Sequence, residues 1–325
     1  MSRASHVVLS VPAAILLASA LHSFSAGIDP LSSGIANLNR ALPSCGGCHL
    51  GVQGQNNLRV RVDLSAHSLA PGQAISITTS ATGGTTDPQL RGGFSSDVTA
   101  GTFTAGANTR VAIRPDAISH SQRTPGRSWT YGYVAPLSPG PVEMFVTVNT
   151  VNGDGFNSGD IWGFHGFQAS ATVPTPVRLY VNAQGVQPVG TACAGGFGNV
   201  PVLGARQVPQ VGNQAFAVEA HGLPPGTGVA LLLNAPTNFT PIELGPIGMA
   251  GCTLHVDPVN LVVLNGLSGT GDAQRATATA NFPLPIPNDS RVLGNVLVVQ
   301  AAILDLASGR PTPITMTNGL RVTVQ

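Results

Sequence analysis

An all-β fold, two tandem immunoglobulin-like β-sandwiches behind an N-terminal signal peptide, is predicted by three observations. Charged residues make up only 9% of the chain while hydrophobic residues reach 42%, a balance that suits packed cores over a disordered chain. The 40 glycines and 26 prolines punctuate Val- and Thr-rich stretches, as expected of short strands joined by tight turns. After the leader, apolar residues recur with period two, and no segment carries the 3.6-residue period of an amphipathic helix. At 325 residues the chain can fill two ordinary cores.

The first element is the leader. Arg3 precedes an apolar run from Val7 to Leu21, and Ala18-Ser19-Ala20 or Ser23-Phe24-Ser25 supplies the small residues of a cleavage site, so residues 1–26 read as a signal peptide. No later run approaches the roughly 18 apolar residues of a membrane span. Export to the periplasm, cell surface or exterior is therefore expected, with no span left after cleavage. In residues 27–173, Leu58 to Leu64 alternates cleanly, and Ala74 to Ser80, Ser128 to Val134 and Val142 to Asn149 follow as strands bounded by Gly, Pro or Asn. This spacing suits a sandwich. Val173-Pro174-Thr175-Pro176 marks a linker, set at 174–177. The second sandwich is placed at 178–325. Its strands run from Val177 to Val181 at its head, then through Gln214 to Ala220, Val229 to Leu233, Asn260 to Leu264, Ala276 to Phe282, Val296 to Ile303 and Leu320 to Val324.

Chemistry concentrates in Cys45-Gly46-Gly47-Cys48-His49, because C-x-x-C-H is the spacing at which haem c is attached covalently. Two thiols three positions apart can each form a thioether with a haem vinyl group, and the adjoining imidazole can ligate iron. With 4 Cys and 8 His in the chain, about 0.001 occurrences of this pattern are expected by chance. Among further ligands, Met144 alternates with Val142, Val146 and Val148 and reads as core. His67, His120 and His165 remain in the first domain. His67 reads as a solvated loop residue, whereas His120 lies in a polar stretch before the strand at Trp129.

Other function classes are thinly supported. A net charge of +1 carried by scattered arginines provides no footprint for nucleic acid. The chain contains no lysine, which excludes Schiff-base chemistry. G-x-S-x-G, H-E-x-x-H and P-loop patterns are missing, so no enzyme activity is assigned. Five oxygen-bearing residues between Asn152 and Asp160 offer a calcium alternative, but the spacing is not that of an EF-hand and a glycine-rich turn accounts for it. In an oxidising compartment Cys193 and Cys252 are expected to form a disulfide closing a loop of about 60 residues.

Four motifs stand in order along residues 41–170: Ser44-Cys45-Gly46-Gly47-Cys48-His49-Leu50, Ile118-Ser119-His120-Ser121, Ser128-Trp129-Thr130-Tyr131 leading to Ala135-Pro136, and Val148-Asn149 through Asp160. In these the segment resembles the reeler-like choice-of-anchor V domain of exported bacterial proteins. The resemblance implies an immunoglobulin-like sandwich with C-x-x-C-H at its edge and favours His120 as partner of His49. The family's usual C-terminal sorting anchor is replaced here by another domain. Residues 178–325 are similar to a C-terminal sandwich module that recurs on large exported bacterial proteins and has no established activity. That likeness rests on Gly190 to Gly196, Val211 to Phe216, Ala250 to Leu254, Leu284 to Asn288 and Asn318 to Arg321.

Two expectations follow. One is an exported haem c protein, redox-active with an unspecified partner, in which Cys45 and Cys48 hold the porphyrin and His49 and His120 are the iron ligands. The alternative is a non-enzymatic structural or adhesive protein associated with the cell surface, with Cys45 and Cys48 joined as a disulfide.

Overall fold

The computed structural model describes residues 39–40, 44–49, 51–55, 57–122, 125–166, 174–196, 198–236, 238–272 and 276–325. The signal-peptide segment 1–26 lies outside them. The described chain is all-β, its helical content being four short 3₁₀ turns.

Two sheets form the first sandwich. One runs, in spatial order, through Arg59–Leu64, Ala74–Thr82, Ser128–Val134 and Thr102–Thr104, all antiparallel. The other runs Val52–Gln53, Ile161–Phe164, Gly140–Thr150, Gly92–Val98, Ala117–His120 and Thr109–Val111. Alternation buries Trp129, Tyr131 and Tyr133 from one strand against Phe94, whose ring lies 5.0 Å from Trp129 and 5.2 Å from Tyr131. Met144 is fully buried in this core.

The second sandwich faces Val186–Val189, Ile314–Thr323, Val296–Leu304, Gly228–Asn234 and Val262–Leu267 against Val202–Gly204, Ala217–Leu223 and Ala278–Pro283. Its core collects Leu203, Phe216, Val218, Leu231, Phe282, Val299 and Leu320.

The joint differs from a free tether. Val177–Val181 pairs antiparallel with Gly140–Thr150 and parallel with Ser68–Leu69, so it extends the first sheet. Val177, Leu179 and Val181 enter the first core. Tyr180, on the opposite side, donates its hydroxyl to Glu219 at 2.9 Å and lies beside His221 of the second unit. All five residues are buried because the strand is shared. Asn182 adds a clasp, donating to Ser68 Oγ and Leu69 O while accepting from Ala205 N.

His67, expected to be solvated, is instead built into this joint. Its Nδ1 lies 3.0 Å from Arg178 O, and its carbonyl accepts Tyr180 N. His165 is tied in the same way to Thr175 O at 2.9 Å. Burial holds both imidazoles below their ordinary value, because the charged form loses its hydration. The unfolded chain therefore binds protons near pH 6.5 that the folded chain does not, and stability present above that pH is lost as pH falls. The urea midpoint should drop between about pH 7.5 and about pH 5. Replacing both residues, His67→Asn and His165→Asn, should flatten that pH dependence; an unchanged slope would sink the assignment.

Candidate functional site

The C-x-x-C-H segment is a docked turn. Ser44–Gly47 forms one 3₁₀ turn, and Cys45 O accepts the amides of Cys48 at 3.1 Å and His49 at 2.8 Å. The chain then runs as Val52–Gln53, parallel to Ile161–Phe164. Two glycines permit the fit. A Cβ at Gly46 would lie 3.0 Å from the Trp162 indole, and one at Gly51 would lie 1.6 Å from the carbonyl oxygen of Asp160.

His49 is held by Asp160, offered by the sequence as a calcium oxygen, and by Asn149, quoted for the site only within the resemblance. Its Nδ1 lies 2.5 Å from Asp160 Oδ2 and 3.1 Å from Asn149 Nδ2. Asp160 is fully buried, and its other oxygen accepts Asn152 N at 3.1 Å. A carboxylate oxygen only accepts, so Nδ1 donates to Asp160 Oδ2, and Nε2 is the ring nitrogen outside that contact. Asn157 completes the clamp by donating to Cys48 O at 2.8 Å. The 152–160 loop is thus the seat of the motif. Its remaining polar groups bind each other, Asn152 Nδ2 to Asp154 Oδ2 and Phe156 N to Asp154 Oδ1. Among the described residues no three His, Cys, Asp or Glu side chains gather as a metal site, so the calcium alternative gains no support.

Cys45 and Cys48 are free thiols, which corrects the expectation that they pair as a disulfide under the alternative reading. Burial pushes the Cys45 thiol up to about 12 and also raises that of Cys48. Neither is an activated nucleophile.

His120 ends the strand Ala117–His120. Its Nδ1 lies 3.2 Å from both the amide nitrogen and the carbonyl oxygen of Phe94. Its ring occupies the space above Gly93, where a Cβ would come within 2.3 Å of it. Gly93 is the cross-strand partner of Asn149, the residue facing His49. The two histidines therefore flank one residue pair at the same end of the sheet. Beneath them, Asn149 Oδ1 and Trp162 Nε1 are buried with no hydrogen-bond partner, an uncommon state for buried polar atoms. The quoted stretch Val148-Asn149 through Asp160 already contained Asn149, Asn157 and Asp160; what the sequence lacked was any sign of the 100-residue fold-back that seats them.

In the second unit, Cys193 and Cys252 are bonded across 59 residues. The bridge sits in a small core with Leu244, Met249 and Met316.

No protein-family model matches the chain, and no curated protein matches it. Among solved structures it is similar to the Reelin-N domain of F-spondin, at 19% identity over 41% of this chain and 89% of that one, with a TM-score of 0.28. It is also similar to FdeC, an Escherichia coli adhesin, at 11% identity over 84% of this chain and 66% of that one, with a TM-score of 0.19. A third is the type II cohesin dyad from the adaptor ScaA scaffoldin of Acetivibrio cellulolyticus, at 9% identity over 78% and 95%, with a TM-score of 0.23. No described helix is long and apolar enough to cross a membrane.

Proposed function

We propose that this chain is a non-enzymatic surface protein, exported and built from two sandwiches coupled into one stiff unit. The joint carries this reading: Val177–Val181 belongs by hydrogen bonds to the first sheet and by Tyr180 to the second unit. Hinging there would break ladder bonds and expose a fully buried strand, which flexible interdomain linkers do not require. Stiff display of a module is what a structural or adhesive role needs.

A second reading, covalent haem c, is favoured by one specific observation. Nδ1 of His49 faces a buried carboxylate, the arrangement that orients a metal-ligating imidazole and raises its basicity. The donor set fits the group: two free thiols in C-x-x-C spacing, Nε2 of His49 unencumbered, and His120 across the Asn149–Gly93 pair. Bound haem would supply one-electron chemistry. Cys45 and Cys48 would hold it, Asp160 would orient His49, and His49 and His120 would be the candidate iron ligands.

A single preparation tests both readings. The full chain is produced in cells with c-type haem maturation machinery, proteinase K is added to intact cells, and the exported protein is examined by visible spectroscopy. The surface-protein reading expects removal by the protease, no Soret band, and two titratable thiols after unfolding. A Soret band that survives acid-acetone extraction transfers the conclusion to haem, and one that vanishes in Cys45→Ser with Cys48→Ser assigns the attachment.

A further inference from the structure

We propose that a cavity in the first sandwich binds a small monocarboxylate with an apolar body, its carboxylate received by Arg127. The cavity, of about 830 Å³, opens where Ala74–Thr82 ends, between that strand, the 83–90 loop and the residue preceding Ser128–Val134. Its volume suits a small organic molecule. Arg127 lines it and is only 6% exposed. Nε of Arg127 donates to Arg91 O at 3.1 Å, Nη1 to Gly83 O, and Nη2 to Thr85 O and Oγ1 at 2.9 and 3.0 Å. All four acceptors are neutral. A guanidinium has five N–H groups, and the fifth, on Nη1, meets no acceptor among the described residues.

Buried arginines are ordinarily paired with a carboxylate. Arg178, buried to nearly the same degree, faces Glu143 at 3.6 Å. Arg127 forms no ion pair with a described carboxylate. Asp87, whose charge acts on it from a distance, is held by Arg91 through both oxygens at 2.8 and 3.1 Å. With Asp87 neutralised in this way, the lining keeps the charge of Arg127 alone, which suits one carboxylate and disfavours an amine. Burial holds the guanidinium below its ordinary value, as expected of a cation short of compensating charge. The remaining wall selects the body of the ligand. Ala81, Pro88 and Leu90 are apolar, and Leu90 is 54% exposed on a lip fixed by its amide to Asp87 O. The wall is also preformed, since Gly84 lies so close to Thr150 that a Cβ there would fall 2.3 Å from Oγ1. A free short acid and the C-terminus of an apolar peptide share the chemistry this cavity selects.

Isothermal titration calorimetry of the full exported chain tests this with two acids and their neutral counterparts, hexanoate with hexan-1-ol and N-acetyl-leucine with N-acetyl-leucinamide. At least one acid should saturate with a Kd of about 1 mM or below, and its neutral counterpart should bind at least about tenfold more weakly. Tighter binding of hexanoate assigns a free acid as the source, and tighter binding of N-acetyl-leucine a peptide C-terminus. Arg127→Gln should erase the preference for the acid. Thr82→Trp, at an exposed strand end on the cavity wall, should abolish binding, and it decides the matter if loss of the Arg127 bonds unfolds the loop. Thermal melting confirms the fold of each variant. Saturation by neither acid, equal binding of the neutral counterparts, or undiminished binding by folded Thr82→Trp would each overturn the proposal.

Discussion

Replacing Cys193 and Cys252 together by alanine should lower the stability of the second sandwich by about 4 kcal/mol, the loop-closure value for a bridge spanning 59 residues. The local packing explains why little else can substitute. Cys252 lies in the hairpin that pairs Ile242–Glu243 with Thr253–Leu254, an isolated two-stranded sheet, and such a hairpin is marginal by itself. It is held onto the outer side of the main sheet through Leu244, Met249 and Cys252, packed on Cys193 and Met316 with Leu232, Ala302 and Ile314. Without the bridge this small cluster loses both its covalent tie and its centre. Both tryptophans, Trp129 and Trp162, lie in the first sandwich, so two probes can divide the effect. Circular dichroism in urea should gain an early transition, while the tryptophan fluorescence midpoint stays in place. An unsplit, unshifted dichroism curve would rule out a stabilising role for the bridge.

Much of this fold was legible because its strands sit on half-buried sheets. Ser128–Val134 and Val177–Val181 fall on the expected residues, and alternation reveals them since one face meets an apolar core. Gly92–Val98 escaped the same reading. Its sequence is polar, yet Ser95, Ser96 and Asp97 are buried, because Asn39 and Arg40 cover the outer face and bond Ser95 and Asp97. Period two fails as a signal wherever a polar strand is covered on both sides. Val177–Val181 was found but assigned to the head of the second module; its pairing partners at Gly140–Thr150 and Ser68–Leu69 are long-range and leave no local trace. The candidate site divides likewise. Cys45, Cys48 and His49 stand in one motif, whereas Asp160 and Asn149 reach His49 from 111 and 100 residues away.

Substituting Gly51 by alanine should undock the motif while leaving both cores folded. The added Cβ would sit 1.6 Å from the carbonyl oxygen of Asp160, and that oxygen cannot step aside. It accepts Val52 N at 3.1 Å, while the Asp160 side chain below it is bonded to His49 and Asn152. The strand Val52–Gln53 has only two residues, so its pairing is the weaker partner and gives way. Thiol chemistry reads this directly. In the docked state Cys45 is half-buried and desolvation pushes its thiol up to about 12, so alkylation near neutral pH is slow until the turn opens locally. A local penalty of roughly 3 kcal/mol corresponds to about a hundredfold gain in the maleimide reaction rate of Cys45, measured in a Cys48→Ser background. Gly228→Ala, whose added Cβ meets nothing within 4 Å, is the matched control and should leave the rate unchanged. The same opening would separate His49 from Asp160. If haem is attached, Gly51→Ala should therefore alter the spectrum of the iron without releasing the thioether-linked porphyrin, because attachment depends on the two cysteines and orientation depends on the dock.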